Sequence, residues 1–286
     1  MDPSTDRLLN RFKALADPVR VRLVMLCAVA ECSVSELTRV TGLSQPRVSQ
    51  HLKQLISVGL LERFRDGHFV YYRVPQGGQH ASARRRLLAL LPADEPDFAG
   101  DLGKLRGLRT IDEDRDQGAG AEDRFLHKAL VELTVSAPLG NLLDIGCGEG
   151  RLLKLLASRA HRVVGVDIDP AARRLARAEL LLAGLPNCSL RQGDMYGLPF
   201  EDESFDTIIL DDVLPDAQRP ADALREARRL LRTGGRMLML ATVGAHSIPQ
   251  LTTKFAAWAA DTGLRLAPPR PIPEKKPGWL LGVATP

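Results

Sequence analysis

The sequence predicts two domains: a mainly α-helical domain that ends in a β-hairpin, then a larger α/β domain whose sheet is mostly parallel. Three observations predict this order. Helical patterns with polar caps fill the first sixty residues, and two β-like runs follow them. A glycine-rich turn at residues 146–150 joins an apolar run to a helical pattern. A second apolar run ends in Asp167, about 20 residues after the first glycine, at the offset of a nucleotide-binding unit.

Charge separates the two halves of the chain. The 286 residues carry a formal net charge of +4. Residues 1–91 hold 14 Lys and Arg against 7 Asp and Glu, whereas the remainder has more acids than bases. A basic segment joined to an acidic one is typical of a nucleic-acid-binding module attached to another domain. A merely basic surface is the alternative explanation of these counts.

Other features of the composition predict the compartment. No apolar run approaches the roughly 18 residues of a membrane span. The first residues do not show the pattern of a signal peptide. Most of the four cysteines, Cys27, Cys32, Cys147 and Cys188, lie far apart, which indicates reduced thiols. The sequence therefore predicts a cytoplasmic protein.

Helix start signals recur through the first domain. Asp17 precedes Pro18 in the arrangement of an N-cap followed by a proline at the first helical position. Ser33 is followed three residues later by Glu36, which is a capping-box pattern. Ser44 is the predicted N-cap of a further helix. These signals predict a series of short helices joined by tight turns.

A hairpin signal follows the helices. Two β-like runs, at residues 61–65 and 69–74, are joined by Asp66-Gly67. A helix, a turn, a second helix and then a basic two-stranded hairpin are the elements of a winged helix-turn-helix domain. Two stretches, LADPVR at residues 15–20 and LSQPRVSQHLKQL at residues 43–55, resemble the ArsR/SmtB family of bacterial repressors. The resemblance covers about residues 4–91.

The resemblance implies that the second helix of the motif enters the major groove of double-stranded DNA. Outward Gln and Arg side chains suit base edges, and Ser and Lys suit phosphates. The predicted DNA-binding residues, on this helix and on the wing, are Ser44, Gln45, Arg47, Ser49, Gln50, Lys53, Arg63, Arg65, His68 and Arg73. The alternative is a solvated helix face in a domain that binds another protein.

The helix predicted at residues 81–91 carries more leucine than one short helix needs. In the resembled family the terminal helices pair two subunits. The resemblance therefore implies a homodimer and a near-palindromic operator. Simple packing of these leucines on the winged helix is the alternative.

The positions at which many members of that family bind metal differ in this chain. Those members use a Cys-x-Cys pair on the helix before the turn, where this sequence has Ser33 and Ser35. Hydroxyls are poor ligands for ions that prefer thiolates. Cys27 and Cys32 lack neighbouring histidines and make an incomplete site. We therefore predict no metal site, and a metal-responsive repressor remains an alternative.

The domain boundaries are predicted from composition. Residues 92–120 are rich in Pro, Gly and Asp and predict a linker, with one short helical pattern at residues 102–108. The first domain, for DNA binding and dimerisation, is predicted at residues 1–91. The second domain is predicted at residues 121–286 and begins with a helix at residues 121–135.

Four stretches of the second domain resemble, in order, the motifs of class I S-adenosylmethionine-dependent methyltransferases. They are LLDIGCGEG at 142–150, GVDIDP at 165–170, QGD at 192–194 and RLLRTGGR at 229–236. The resemblance covers residues 122 to the end. It implies a Rossmann-like sheet of seven mostly parallel strands, and S-adenosylmethionine (SAM) or S-adenosylhomocysteine (SAH) as ligand. The last antiparallel pair is expected at 264–266 and 279–283, with a loop at 268–277.

The resemblance also implies a set of cofactor-binding residues. Asp144 would hold the α-ammonium of the ligand, Asp167 the ribose hydroxyls and Asp194 the adenine amino group. Another carboxylate, at position 211, would lie at the amino-acid end. The predicted cofactor-binding residues are Asp144, Gly146, Cys147, Gly148, Asp167, Ile168, Asp194, Met195 and Asp211, with Cys147 contributing its backbone.

No catalytic residue is assigned. Methyl transfer is an in-line displacement that needs an aligned acceptor more than a set of catalytic side chains. Residues 211–216 are acidic and lack the histidine or aromatic residues that often line the acceptor pocket in this family. The leading hypothesis is a DNA-binding repressor whose Rossmann-like domain senses SAM or SAH and controls methyl-cycle genes. The alternatives are an active methyltransferase with an autoregulatory winged helix and a metal-responsive repressor.

Overall fold

The computed structural model describes residues 3–66, 69–75, 80–91, 96–108, 121–136, 138–244 and 246–286. They form two compact units, one made mostly of residues before 109 and the other mostly of residues after 120. The predicted DNA contact His68 and much of the predicted linker lie outside the described residues. No helix among them is both long and apolar enough to span a bilayer.

The first unit contains six helices and a small sheet among its described residues. In chain order its elements are α1 (Pro3–Leu15), α2 (Pro18–Val29), β1 (Cys32–Ser33), α3 (Val34–Thr41), α4 (Gln45–Ser57), β2 (Glu62–Asp66), β3 (Phe69–Arg73), α5 (Ala81–Leu88) and α6 (Pro96–Leu108). β3 lies between β1 and β2 and pairs with both in the antiparallel sense. This is the predicted winged helix-turn-helix, with β2 and β3 as the wing.

The predicted helix starts agree with the structure. Asp17 accepts a hydrogen bond from the backbone N–H of Arg20 at 2.9 Å. Ser33 and Glu36 form a complete capping box at the start of α3. Ser44 is the N-cap residue of α4 but makes no side-chain capping bond there. Side-chain caps therefore fix where α2 and α3 begin, as the sequence indicates, whereas α4 begins after Ser44 without such a bond.

The core of the first unit is formed by the inner faces of α2, α3 and α4. Leu23 and Leu26 of α2, Leu37 of α3, and Leu52 and Leu55 of α4 are each at most 1% exposed. Burial of a leucine contributes about 1.5–3 kcal/mol relative to an exposed one. This apolar cluster fixes the orientation of α4, and therefore decides which of its side chains reach solvent.

Part of the predicted linker is a helix of the first unit. α6 spans thirteen residues rather than the short pattern expected at 102–108. Phe98 and Leu105 are buried, and Asp101, at 1% exposed, accepts two bonds from Arg22 of α2 at 2.6 and 2.7 Å. The high Gly and Asp content suggested a linker, but three glycines of α6 face open space and the aspartate is paired. The domain boundary itself stays a prediction.

The second unit alternates helices and strands. Its elements are α7 (Ala121–Ser136), β4 (Asn141–Ile145), α8 (Arg151–Leu156), β5 (Arg162–Asp167), α9 (Pro170–Leu182), β6 (Cys188–Gln192), β7 (Phe205–Asp211), α10 (Pro220–Leu230), β8 (Leu231–Thr242), α11 (Ile248–Asp261), β9 (Arg265–Leu266), β10 (Arg270–Ile272) and β11 (Trp279–Thr285). The sheet order is β10-β11-β8-β7-β4-β5-β6, and β9 also pairs with β11. β4, β5, β6, β7 and β8 are parallel, which confirms the Rossmann-like fold.

The sheet has eight strands among the described residues, where the sequence predicted seven. The additional strand, β10, lies in the stretch 268–277 that was predicted to be a loop. It pairs with β11, where Arg270 lies opposite Leu281, Pro271 opposite Leu280 and Ile272 opposite Trp279. Three residues with a central proline carry almost no strand signal. The proline is tolerated because β10 is an edge strand.

Candidate ligand pocket and nucleic-acid interface

The glycine-rich turn connects the end of β4 to the start of α8. Gly146, Gly148 and Gly150 all have left-handed backbone conformations, with φ of 75°, 51° and 82°. The N–H groups of Gly146 and Cys147 donate to the Val166 carbonyl at 2.7 and 3.0 Å, which ties the turn to β5. A Cβ at position 146 would collide with a neighbouring valine side chain, so both conformation and space require glycine there.

Asp167 closes the turn from the end of β5. Its Oδ2 atom accepts from the N–H of Gly148 at 2.8 Å, and its Oδ1 atom accepts from the N–H of Asp169 at 2.8 Å. The buried guanidinium of Arg173 donates to the Asp167 carbonyl at 2.8 Å. The carboxylate is therefore oriented toward the turn. Ile168, the next residue, is 66% exposed and has an open face.

Asp144 is a buried carboxylate beside this turn. It is 1% exposed, and its Oδ1 atom has no hydrogen-bond partner among the described residues. Burial raises the pKa of Asp144 well above its usual value; the charges of Asp211 and Asp167 raise it further, and Arg151 opposes them. An unsatisfied buried acceptor destabilises the fold. A ligand that donates a hydrogen bond or brings a positive charge to Oδ1 would remove this cost.

Cys147 lies inside the turn, and its thiol is buried. Burial raises the pKa of Cys147 far above its usual value, and the charges of Asp144 and Asp167 act in the same direction. The thiol therefore stays protonated at neutral pH, and a protonated thiol is a poor nucleophile. The geometry agrees with a backbone role for this residue.

Asp194 and Met195 follow the end of β6. The N–H of Gly193 donates to the Asp167 carbonyl at 3.2 Å, so this turn lies beside the end of β5. Asp194 is exposed, and its Oδ1 atom accepts from the N–H of Tyr196 at 3.1 Å. Met195 is half-buried against the core of the second unit. The parallel strands therefore bring the predicted carboxylates together at the carboxyl ends of the strands.

The outer face of α4 is polar. Val48, Leu52 and Leu55 are buried, whereas the side chains predicted to contact DNA on this helix are exposed: Ser44, Gln45, Arg47, Ser49, Gln50 and Lys53. His51, on the same helix, is half-buried, and its Nδ1 atom lies 4.0 Å from Asp17 Oδ1. His51 therefore packs against the start of α2.

The wing divides its predicted DNA contacts. Arg63 and Arg65 of β2 are exposed. Arg73 of β3 is 8% exposed and pairs with Glu31 at 3.1 Å and with Glu62 at 2.6 Å. The prediction that Arg73 contacts DNA is wrong, because two carboxylates hold its guanidinium inside the unit.

Comparisons with known proteins agree with both halves of this description. The family profile described as "Bacterial regulatory protein, arsR family" matches residues 17–63, and the profile described as "Methyltransferase domain" matches residues 143–239. The chain is a fusion of an arsR-family domain and a methyltransferase domain. It is 48% identical over 64 residues to the arsenic resistance transcriptional regulator ArsR1 of Pseudomonas putida, covering 22% of this chain and 50% of that protein.

The methyltransferase domain of the fusion has its own relatives. The chain is 33% identical over 126 residues to the ubiquinone/menaquinone biosynthesis C-methyltransferase UbiE of Ectopseudomonas mendocina, covering 43% of this chain and 49% of that protein. A SAM dependent methyltransferase from Aquifex aeolicus has the same fold, with a TM-score of 0.51 at 15% identity over 63% of this chain and 96% of that chain. The chain spans about half the length of each of these two curated relatives, UbiE and ArsR1.

In the arsR-family domain, the positions expected to carry metal-binding thiols have a structural role. The Ser33 hydroxyl bonds to Glu36 at 2.8 Å and to the Ser35 hydroxyl at 3.1 Å, within the capping box of α3. Cys32 is buried, with its sulfur 3.5 Å from the Ala30 carbonyl oxygen. Within the described parts of the chain, no group of three or more His, Cys, Asp or Glu side chains could hold a metal ion.

In the methyltransferase domain, sequence reasoning missed the side chain at the first position of α8. Arg151 pairs with Asp211 at 2.8 Å and lies over the ring of Trp279, 5.7 Å from its centroid. Its position directly after the third glycine was visible in the sequence. The two partners are the last residue of β7 and the first residue of β11, and they become neighbours only in the folded sheet.

Proposed function

We propose that the protein is a DNA-binding transcriptional repressor whose methyltransferase domain binds SAM or SAH as an effector, and that it controls methyl-cycle genes. The observation that carries the ligand half is the buried Asp144 carboxylate with its unsatisfied Oδ1 atom at the glycine-rich turn. The observation that carries the DNA half is the polar, exposed outer face of α4.

The residues of the pocket fit an adenosyl amino acid. Asp144 supplies the acceptor for the α-ammonium, and the turn presents backbone to the aminoacyl part. Asp167 accepts the ribose hydroxyls once it gives up the bond from Gly148. Ile168 would cover the adenine ring, Asp194 would accept a bond from its amino group, and Met195 lies next to Asp194 in the chain. Bound SAM would supply an electrophilic methyl group, which SAH lacks.

The DNA half of the proposal uses α4 and β2. Arg47 and Gln50 have side chains that form paired bonds with guanine and adenine edges. Lys53 and the serines of α4 suit phosphates, and Arg63 and Arg65 of the wing suit the backbone. Exposed apolar side chains support a homodimer on a near-palindromic operator: Leu8, Leu9, Phe12 and Leu90 are 43%, 41%, 46% and 74% exposed.

The mechanism is thermodynamic linkage. A ligand that favours one arrangement of the two domains shifts the population that binds the operator. Linkage is reciprocal, so DNA must change ligand affinity by the same factor by which the ligand changes DNA affinity. A typical coupling of about 1–3 kcal/mol corresponds to roughly 5- to 150-fold.

The test is calorimetric titration of the protein with SAM and with SAH, with and without a DNA fragment from its own promoter. We expect one ligand to bind at least about fivefold more tightly or more weakly when the fragment is present. The matched control is Arg47→Ala, which should keep ligand affinity and lose the effect of DNA. Ligand affinities that do not respond to the promoter fragment would refute the effector role.

The second candidate is an active methyltransferase, and one cleft favours it. The cleft has a volume of about 460 Å³ and lies between α7 and β10, with Phe125, Ala129, Ile272 and the prolines of residues 268–273 in its wall. This volume is in the range of small-molecule sites. Ile272 pairs with Trp279, and Trp279 pairs with Thr242 at the carboxyl end of β8. The cleft therefore reaches the carboxyl ends of the parallel strands, where the predicted ligand-binding carboxylates lie. Accumulation of SAH from SAM with an aromatic or aliphatic acceptor would establish this activity.

A further inference from the structure

We propose that Arg151 binds the α-carboxylate of the ligand's amino-acid end and so selects adenosyl ligands that carry an amino acid over those that lack its carboxylate. This inference rests on the proposed binding of SAM or SAH. It assigns the ligand's α-carboxylate, for which the motif side chains supply no partner.

The need for a cation follows from the charges of the pocket. The amino-acid end of SAM has an ammonium group and a carboxylate on the same carbon. Asp144, Asp167 and Asp211 are carboxylates at the ends of adjacent strands. They attract the ammonium, but they repel the ligand's carboxylate. A positive side chain within reach of the same carbon would offset this repulsion.

Arg151 meets this requirement by its place in the fold. It is the first residue of α8, directly after the turn that approaches the aminoacyl part. Its guanidinium lies 2.8 Å from Asp211, and its charge acts on Asp144. The side chain is 43% exposed and so accessible to a ligand. Arg173, by contrast, is 1% exposed beneath Asp167, where a ligand does not reach it.

The chemistry of the guanidinium allows it to serve two carboxylates. Its five N–H donors lie in one plane and form a rigid fork with two edges. One edge keeps Asp211, while another edge takes the ligand's carboxylate. The ring of Trp279, which is 8% exposed, supports the guanidinium from below at 5.7 Å and limits its movement. The Asp211 carboxylate and the tryptophan ring therefore hold Arg151 ready for the ligand.

The experiment compares two ligands that differ only in the carboxylate, SAM and decarboxylated SAM, on wild-type protein and on Arg151→Gln. Wild-type protein should prefer SAM by about 10- to 100-fold, the range of a charge-assisted hydrogen bond. Arg151→Gln should lose this preference, because it weakens the binding of SAM and leaves the binding of decarboxylated SAM unchanged. The ligand and residue changes form a double-mutant cycle, so a merely structural effect cancels.

Two further variants make the result specific. Arg151→Lys keeps the charge but loses the fork, so it should retain part of the preference and remain interpretable if Arg151→Gln does not fold. Arg265→Gln removes an exposed arginine of β9, which pairs with the end of β11 away from the carboxyl ends of the parallel strands. This variant should leave both ligand affinities unchanged.

The outcomes separate this inference from the proposed function. Equal weakening of both ligands by Arg151→Gln would mean that Arg151 only supports Asp211, and would overturn the inference. An unchanged preference for SAM in that variant would place the carboxylate elsewhere, with the same consequence. If wild-type protein binds neither ligand, the proposed function fails first, and Arg151 has no such ligand to select.

Discussion

Replacing Asp144 with asparagine separates the ligand role of this side chain from its cost to the fold. The carboxyl is 1% exposed, and its Oδ1 atom has no hydrogen-bond partner within the described parts of the chain. Burial raises the pKa of Asp144 well above its usual value. The ligand-free protein therefore keeps a proton on this carboxyl at pH values where an exposed aspartate is ionised.

The raised pKa has a defined effect on stability. From the unfolded pKa of about 3.9 up to the folded pKa, the free energy of unfolding falls by about 1.4 kcal/mol for each pH unit. Above the folded pKa, the loss is constant. Asparagine does not titrate, so ligand-free Asp144→Asn should melt at a higher temperature than wild-type protein at pH 8. The difference should disappear toward pH 4, as thermal melts at several pH values would measure.

The same substitution should weaken the binding of SAM. Truncating one partner of a buried charge pair costs about 2–5 kcal/mol. The wild-type carboxyl must first lose its proton, so we expect the lower end, which is roughly a 30-fold loss of affinity. Wild-type affinity should rise with pH as Asp144 ionises, whereas the affinity of the variant should not follow this titration. Calorimetry between pH 6 and 9 measures both.

The control is Asp216→Asn, which removes an exposed carboxyl near the carboxyl end of β7 and should leave the melting temperature and the affinity unchanged. The reasoning is refuted if Asp144→Asn melts lower than wild-type protein at pH 8 and binds SAM equally well. It is also refuted if the wild-type affinity shows no pH dependence.

Four further predictions test the rest of the structure. Arg47→Ala should weaken promoter binding by about 1–3 kcal/mol and random-sequence binding far less; equal losses in fluorescence anisotropy would sink its role in reading bases. Arg73→Met should lower the melting temperature, because it removes the ion pair of the buried Glu31 carboxylate, but should leave the DNA affinity of the folded protein unchanged. Gly146→Ala should lower the melting temperature and abolish SAM binding. The control Gly103→Ala, on the open face of α6, should raise the free energy of unfolding by about 0.5–1 kcal/mol. Phe12→Glu should convert a dimer to a monomer in light scattering.

The elements that sequence reasoning predicted well depend on local signals. The outward face of α4 follows from helical periodicity, with Val48, Leu52 and Leu55 inside. The start of α3 follows from the serine and glutamate of a capping box. The parallel sheet follows from ordered motifs, because three of the four motifs are a strand end and the turn after it, and the fourth opens β8. In all of these, the deciding residues are within a few positions of one another.

The features that were missed depend on residues far apart in the chain. Arg73 is buried by Glu31, which lies 42 positions earlier, and nothing near either residue indicates the pair. Arg151 meets Asp211 across 60 positions. β10 forms because β11 provides a partner, although its own three residues carry no strand signal. Such pairs form only when the sheet assembles, so the local sequence pattern around each residue does not reveal them.

The charges of the pocket also bear on which ligand the domain reports. Asp144, Asp167 and Asp211 surround the predicted amino-acid and ribose sites, and Arg151 is paired to one of them. SAM carries a sulfonium charge that SAH lacks. A unit charge 4 Å from a carboxylate gains on the order of 4 kcal/mol near a protein surface, and about a third of that is a tenfold preference. Within the proposed function, we therefore expect a sensor built on this pocket to bind SAM more tightly than SAH. An enzyme built on it releases its product readily, because methyl transfer removes the attracting charge. Tighter binding of SAM than of SAH is therefore expected for both functions, and they differ in whether operator DNA changes that affinity.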